Sequence, residues 1–174
     1  AIAIAIRAFT QKGDAILIQQ PVYYPFANKV TENDRQLVVN PLVLKNGRYE
    51  MDFADMERKI VDNSVKMLLL CSPHNPVGRV WTKEELLRVG EICQKHGVLV
   101  VSDEIHADFT YAGHTHHVFA SVKSEFADFT ITCTAPSKTF NVPAFALSNI
   151  IIKNPELRAK FKEEADRSAG HYMN

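Results

Sequence analysis

Short apolar runs alternate along this chain with stretches whose hydrophobic positions have helical spacing. The runs at 15–19, 36–39, 66–71, 98–101, 129–133 and 147–152 have the length and the Val, Ile and Leu content of strands. Helices are expected between them: from residue 26, over 52–61, over 82–95, between 118 and 126, and from 155 onward. The helix at 82–95 has the clearest boundaries, because Thr82 and Glu85 form a capping box and His96-Gly97 stops it. The opening residues alternate Ala and Ile with period two, which matches a strand. Their Ala content and the following Arg7-Ala8-Phe9-Thr10-Gln11-Lys12-Gly13 favour a helix ending at glycine. Strand and helix taking turns is the pattern of an α/β protein with a doubly wound, mostly parallel sheet.

Composition narrows the partners more than the fold. The 174 residues are 46% hydrophobic, enough for one domain with a buried core. Lys plus Arg equal Asp plus Glu at 20 each, so no net field favours nucleic acid or an acidic membrane surface, and a small molecule is the expected partner. No apolar run approaches the roughly 20 residues that span a bilayer, and no secretory leader pattern opens the chain. Cys71, Cys93 and Cys133 are odd in number and widely spaced, which suits free thiols in a reducing, cytoplasmic compartment. His114-Thr115-His116-His117 offers imidazoles, but bunched histidines on one loop rarely complete a coordination sphere, so no metal is expected.

The candidate chemistry lies in three segments, each following an apolar run: Ser72-Pro73-His74-Asn75-Pro76-Val77-Gly78, Ser102-Asp103-Glu104-Ile105-His106 and Ser137-Lys138-Thr139-Phe140-Asn141. Loops at the carboxyl ends of parallel strands share one crevice, so an amide, a carboxylate and an amine would meet there. Pyridoxal phosphate suits that set. Lys138 is the candidate for a Schiff base and, once desolvation or neighbouring charge lowers its pKa, for a base. Asp103 emerges at the edge of the core, where an unpaired carboxylate is costly and a pyridinium nitrogen would be a suitable partner. Asn75 could donate to a phenolate oxygen and Ser137 could bind phosphate. Each residue alone also has a plainer reading: a surface lysine, a capping aspartate, a turn asparagine and a turn serine.

The motifs and their order resemble the class I/II aminotransferase superfamily of fold-type I pyridoxal phosphate enzymes. Within it, Asp103-Glu104-Ile105-His106-Ala107-Asp108, Ser137-Lys138-Thr139-Phe140-Asn141-Val142-Pro143 and Pro21-Val22-Tyr23-Tyr24-Pro25-Phe26 resemble the carbon-sulfur lyase branch, cystathionine β-lyase-like. The resemblance implies a three-layer α/β sandwich with a mostly parallel sheet. It implies cofactor contacts from Tyr23, Asn75, Asp103, His106, Ser137 and Lys138, with Tyr23 stacked on the ring and His106 where typical aminotransferases carry tyrosine. It further implies α,β-elimination on cystathionine- or cysteine-type amino acids, giving pyruvate, ammonia and a thiol, and a homodimer. Transamination is the alternative outcome, and a catalytically inactive fragment or regulatory module is another.

By the same comparison, residues 1–174 form a single partial large domain, with the N-terminal phosphate loop and the C-terminal small domain outside it. Ala135 stands where many aminotransferases place a phosphate-contacting serine, and Ala146 where an arginine is usual, which weakens the expected phosphate grip.

Overall fold

In a computed structural model that describes residues 1–169, each apolar run contributes a strand to one six-stranded sheet. The strands in chain order are β1 (Ala15–Gln20), β2 (Gln36–Pro41), β3 (Val43–Lys45), β4 (Arg48–Glu50), β5 (Met67–Cys71), β6 (Leu99–Asp103), β7 (Thr130–Thr134) and β8 (Asn149–Ile151). The helices are α1 (Ile2–Phe9), α2 (Pro25–Glu32), α3 (Phe53–Asp62), α4 (Lys83–His96), α5 (Phe119–Val122), α6 (Pro136–Thr139) and α7 (Pro155–Ala169). The large sheet has the order β2-β1-β5-β6-β7-β8. All its pairings are parallel except β7 with β8.

Alternation along the strands divides the core between two layers of helices. Leu17, Leu68, Leu70 and Val100 face a cluster completed by Met56 and Ile60 of α3, Leu86, Val89 and Cys93 of α4, and Phe119 of α5. Ile16, Ile18, Met67, Leu69 and Val101 face the opposite cluster, with Ile6 of α1, Phe26 and Val30 of α2, and Phe161 of α7. Two covered faces explain why the strands read as apolar runs instead of polar–apolar alternation. The anticipated start of α4 is present: Thr82 accepts from the Glu85 amide while Glu85 accepts from the Thr82 amide, and Gly97 ends the helix in the left-handed region.

Three local expectations need correction. The single helix expected between 118 and 126 is the four-residue α5 followed by a 3₁₀ segment, Ser124–Phe129. Here stacking of Phe119 on Phe126 at 5.4 Å outweighs helical periodicity. The β3–β4 hairpin was not anticipated, although Asn46-Gly47, both at positive φ, is a strong turn pair. Nor was α6, the short helix carrying Lys138.

β1 has β2 on one side and β5 on the other, so the chain reverses its direction of growth across the sheet at β1. Ligands of open α/β sheets bind outside the carboxyl ends of strands beside such a reversal.

Candidate functional site

Four strands deliver the candidate residues to that end of the sheet: Tyr23 follows β1, Asn75 follows β5, Asp103 ends β6 with His106 just beyond it, and Lys138 follows β7. Tyr23, Asn75, Asp103, His106 and Lys138 line one cavity of about 100 Å³, together with Phe26, Cys71 and Ile105. The sixth candidate, Ser137, adjoins Lys138 on α6 but is not among the cavity's lining residues.

The turn after β5 holds Asn75 through buried polar contacts. His74, 2% exposed, bonds through Nε2 to the Pro21 carbonyl at 2.9 Å and lies edge-on against Trp81. The Trp81 indole donates to the Cys71 carbonyl at 2.9 Å. Arg79 stacks 4.4 Å over Trp81 and forms a two-pronged ion pair with Glu85. Backbone bonds from Gly78 to His74 and from His74 to Arg79 close the turn, with Gly78 at φ +68. The Tyr23 amide then donates to the Asn75 carbonyl at 2.9 Å, fastening the loop after β1 to this turn. Burial drives the His74 imidazole down to about 4, so the ring is neutral at ordinary pH.

Asp103 is paired in register with Cys71 on β5 and Cys133 on β7. Burial, and secondarily Asp103 itself, keeps both thiols protonated by pushing them up to about 12, so neither flank brings charge. Among the described residues the Asp103 carboxylate accepts one hydrogen bond, from the Ile105 amide at 3.3 Å, and has no side-chain ion pair. Burial raises its pKa to about 6, with the nearby Glu104 charge adding to the rise. The Ile105 amide and the charge of the Ala1 amino group oppose that rise without cancelling it. His106 is held below the ordinary imidazole value by burial and then by the Lys138 charge.

Lys138 is exposed on α6, a single helical turn opened by Pro136 and closed by the Phe140 amide bonding to the Pro136 carbonyl at 3.0 Å. Two further cavities adjoin the central one. The first, of about 280 Å³, shares Asp103 and Ile105 with it and is also lined by Ala1–Ala3 at the start of α1, Thr134 and Ser148. The second, of about 240 Å³, shares Asn75 and His106 and is walled by Pro73, Pro76, Val80, Phe109 and Tyr111. Sequence reading missed the structural weight of His74 and Glu104. Buried contacts to residues distant in sequence reveal their roles, and the only local signal was a polar residue beside a strand end. Among the described residues no group of three or more acidic, His or Cys side chains forms a metal cluster, and no helix is long and apolar enough to cross a membrane.

Comparison with known proteins identifies the family. Residues 1–169 match the family described as Aminotransferase class I and II. The chain is 49% identical over 168 residues to cystathionine beta-lyase PatB of Bacillus subtilis, covering 97% of this chain and 43% of that protein. It is 31% identical to kynurenine–oxoglutarate transaminase 3 of Rattus norvegicus, over 82% of this chain and 33% of that one. The crystal structure of cystalysin from Treponema denticola, which contains pyridoxal 5'-phosphate, superposes with a TM-score of 0.95 at 46% identity, covering 97% of this chain and 43% of that one. The chain thus spans less than half the length of these relatives.

Proposed function

Because the chain belongs to the class I and II aminotransferase family, we propose that it supplies the cofactor-binding core of a pyridoxal phosphate enzyme, a carbon-sulfur β-lyase acting on cystathionine- or cysteine-type amino acids. The observation carrying this reading is the convergence of Lys138, Asp103, Asn75, Tyr23 and His106 on one cavity, with a buried carboxylate that makes no ion pair among the described residues. A protonated pyridine nitrogen would pair with it.

Bound pyridoxal phosphate would provide an electron sink for the pair left when a Cα–H bond breaks; loss of a β-thiolate would give a thiol, and hydrolysis of the remaining enamine by one water would give pyruvate and ammonia. The chain's own residues would then divide the work. Asp103 would keep the ring nitrogen protonated, and its pKa near 6 would fall once that cation arrived. The Asn75 amide would donate to the ring oxygen, Tyr23 would cover a ring face, and His106 would offer a neutral ring nitrogen near the same oxygen. Lys138 Nζ would hold the cofactor, give way to the substrate amino group, and take the Cα proton. Ser137, the remaining candidate phosphate contact, lines neither this cavity nor the larger adjoining one. Amides at the start of α1 and the hydroxyls of Thr134 and Ser148, which line the larger adjoining cavity, would be further donors to the phosphate.

Transamination shares every step up to proton removal. Its support is the similarity to the rat transaminase, whereas His106 in Asp103-Glu104-Ile105-His106 favours the lyase branch. We place the whole enzyme in the cytoplasm as a homodimer. The three free buried cysteines support the first point, and the exposed Phe140, Phe145 and Leu147 beside the lysine support the second. The residues described here would form part of its large domain.

Borohydride reduction of the chain mixed with pyridoxal phosphate, followed by peptide mapping, tests the assignment. A stable label on Lys138, absent from Lys138→Ala, is the expected result. Labelling scattered over surface lysines would reject it. Pyruvate release from cystathionine by the full-length enzyme, without a requirement for a 2-oxo acid, separates lyase from transaminase.

A further inference from the structure

Adjacent carboxylates at the end of β6 have opposite surroundings. Asp103 receives one amide, whereas Glu104, 1% exposed, is surrounded by donors. Its Oε1 accepts from Ser102 Oγ at 2.8 Å and from the Phe119 amide at 3.1 Å, and its Oε2 accepts from His116 Nε2 at 2.8 Å. Its backbone is fixed as well: the amide donates to the Cys133 carbonyl of β7 at 2.8 Å, and the carbonyl accepts from Ala107 at 2.9 Å. The latter bond closes the turn on which Ile105 and His106 are carried. His116 Nδ1 is buried with no partner, so the bond to Glu104 is the polar contact holding that ring inward.

We propose that Glu104 is a positioning residue: its carboxylate fastens the 104–107 turn to the 116–119 segment and thereby fixes where Asp103, Ile105 and His106 stand in the cavity. The consequence for cofactor binding rests on the pyridoxal phosphate reading, whereas the fastening is a property of the chain itself. A buried carboxylate released from three donors must find water, and the turn is the route by which it would do so. Loosening the turn would hydrate Asp103, and neutralising Glu104 would remove a like charge beside it. Both changes lower the affinity of Asp103 for its proton. The other titratable groups near Asp103 are the Ala1 amino group, which lines the larger adjoining cavity with it and opposes the rise, Cys71 on β5, Cys133 on β7, and His106 and Lys138 across the cavity.

The test uses the full chain without cofactor, in wild type, Glu104→Gln, His116→Ala and His116→Gln. Amide hydrogen exchange at Ile105 and Ala107 and the carboxyl ¹³C titration of Asp103 are read by NMR. Exchange at the two amides should accelerate at least tenfold in Glu104→Gln and His116→Ala, with the Asp103 midpoint in Glu104→Gln falling from about 6 toward the ordinary 3.8. His116→Gln, which retains a side-chain N–H donor, should recover most of the protection. Unchanged exchange and an unchanged Asp103 midpoint in folded variants would overturn the proposal, as would a uniform rise in exchange over the whole sheet. If Glu104→Gln does not fold, the two His116 variants decide by the exchange readout. Failure of wild type to take a label on Lys138 would reject the cofactor assignment and leave this test intact.

Discussion

The turn at 72–79 and the segment at 135–148 both supply the candidate cavity, yet they are built in opposite ways. In the first, Ser72, Pro73, His74 and Arg79 are buried, the Trp81 indole and His74 imidazole bond to backbone carbonyls, and the Arg79 guanidinium pairs with Glu85. In the second, Lys138 is exposed, Phe140 and Phe145 are each more than 70% exposed, and backbone bonds to Pro136 and Ser137 provide most of the order. The groups that would recognise a ring are set in place before it arrives, while the Lys138 amine sits on a lightly supported segment. Under the proposed function, a lysine that releases one partner and accepts another would benefit from that latitude, whereas a recognition amide would not.

Replacing Lys138 with Ala should abolish stable borohydride labelling while leaving the urea midpoint essentially unchanged, since an exposed side chain is lost. Trp81→Ala attacks the other region and should cost about 3–5 kcal/mol by urea denaturation, with Asn75 losing its support. Asp103→Asn lies between them. Losing a hydrogen bond to a charged group should weaken pyridoxal phosphate binding on the order of 10- to 100-fold by absorbance titration. Above pH 6 the cofactor-free variant should nevertheless be more stable than wild type. The sign follows from the raised pKa: folded Asp103 keeps its proton up to about 6 while the unfolded chain releases it near 3.8, so stability falls as pH rises through that window.

His74 titrates in the opposite sense. The unfolded imidazole takes a proton below 6.5 and the folded one only near 4, so stability falls as the pH drops between those values. His74→Gln, which retains a donor toward Pro21, should flatten that acid limb in denaturation curves measured at several pH values. The smallest effect belongs to the exposed segment: Phe145→Ala should shift the unfolding free energy by no more than about 0.5 kcal/mol.

The six strands of the large sheet were legible because strands buried on two faces leave long apolar runs, and α4 because its cap chemistry is local. Asn75, Asp103 and Lys138 stood out as candidates because each follows such a run, and the structure brings all three to one cavity. The break between α5 and the following 3₁₀ segment was not legible, because it depends on Phe119 meeting Phe126 in space. The donors around Glu104 escaped for a similar reason: Ser102 is a neighbour, but His116 and Phe119 arrive from beyond a long loop. The hairpin of β3 and β4 did carry a local signal in Asn46-Gly47, and its strands were too short for a run-length criterion to register.

Drawing the cavity walls from β1, β5, β6 and β7 also determines when the cavity can exist. Helices α1 to α4 can form from local contacts, but Tyr23 and Lys138 become neighbours only after the parallel strands between them have paired, the slowest kind of contact for a chain to make. Competence to bind is therefore a late event in the life of the polypeptide, and a ligand bound there would report completed assembly where helix content alone would not.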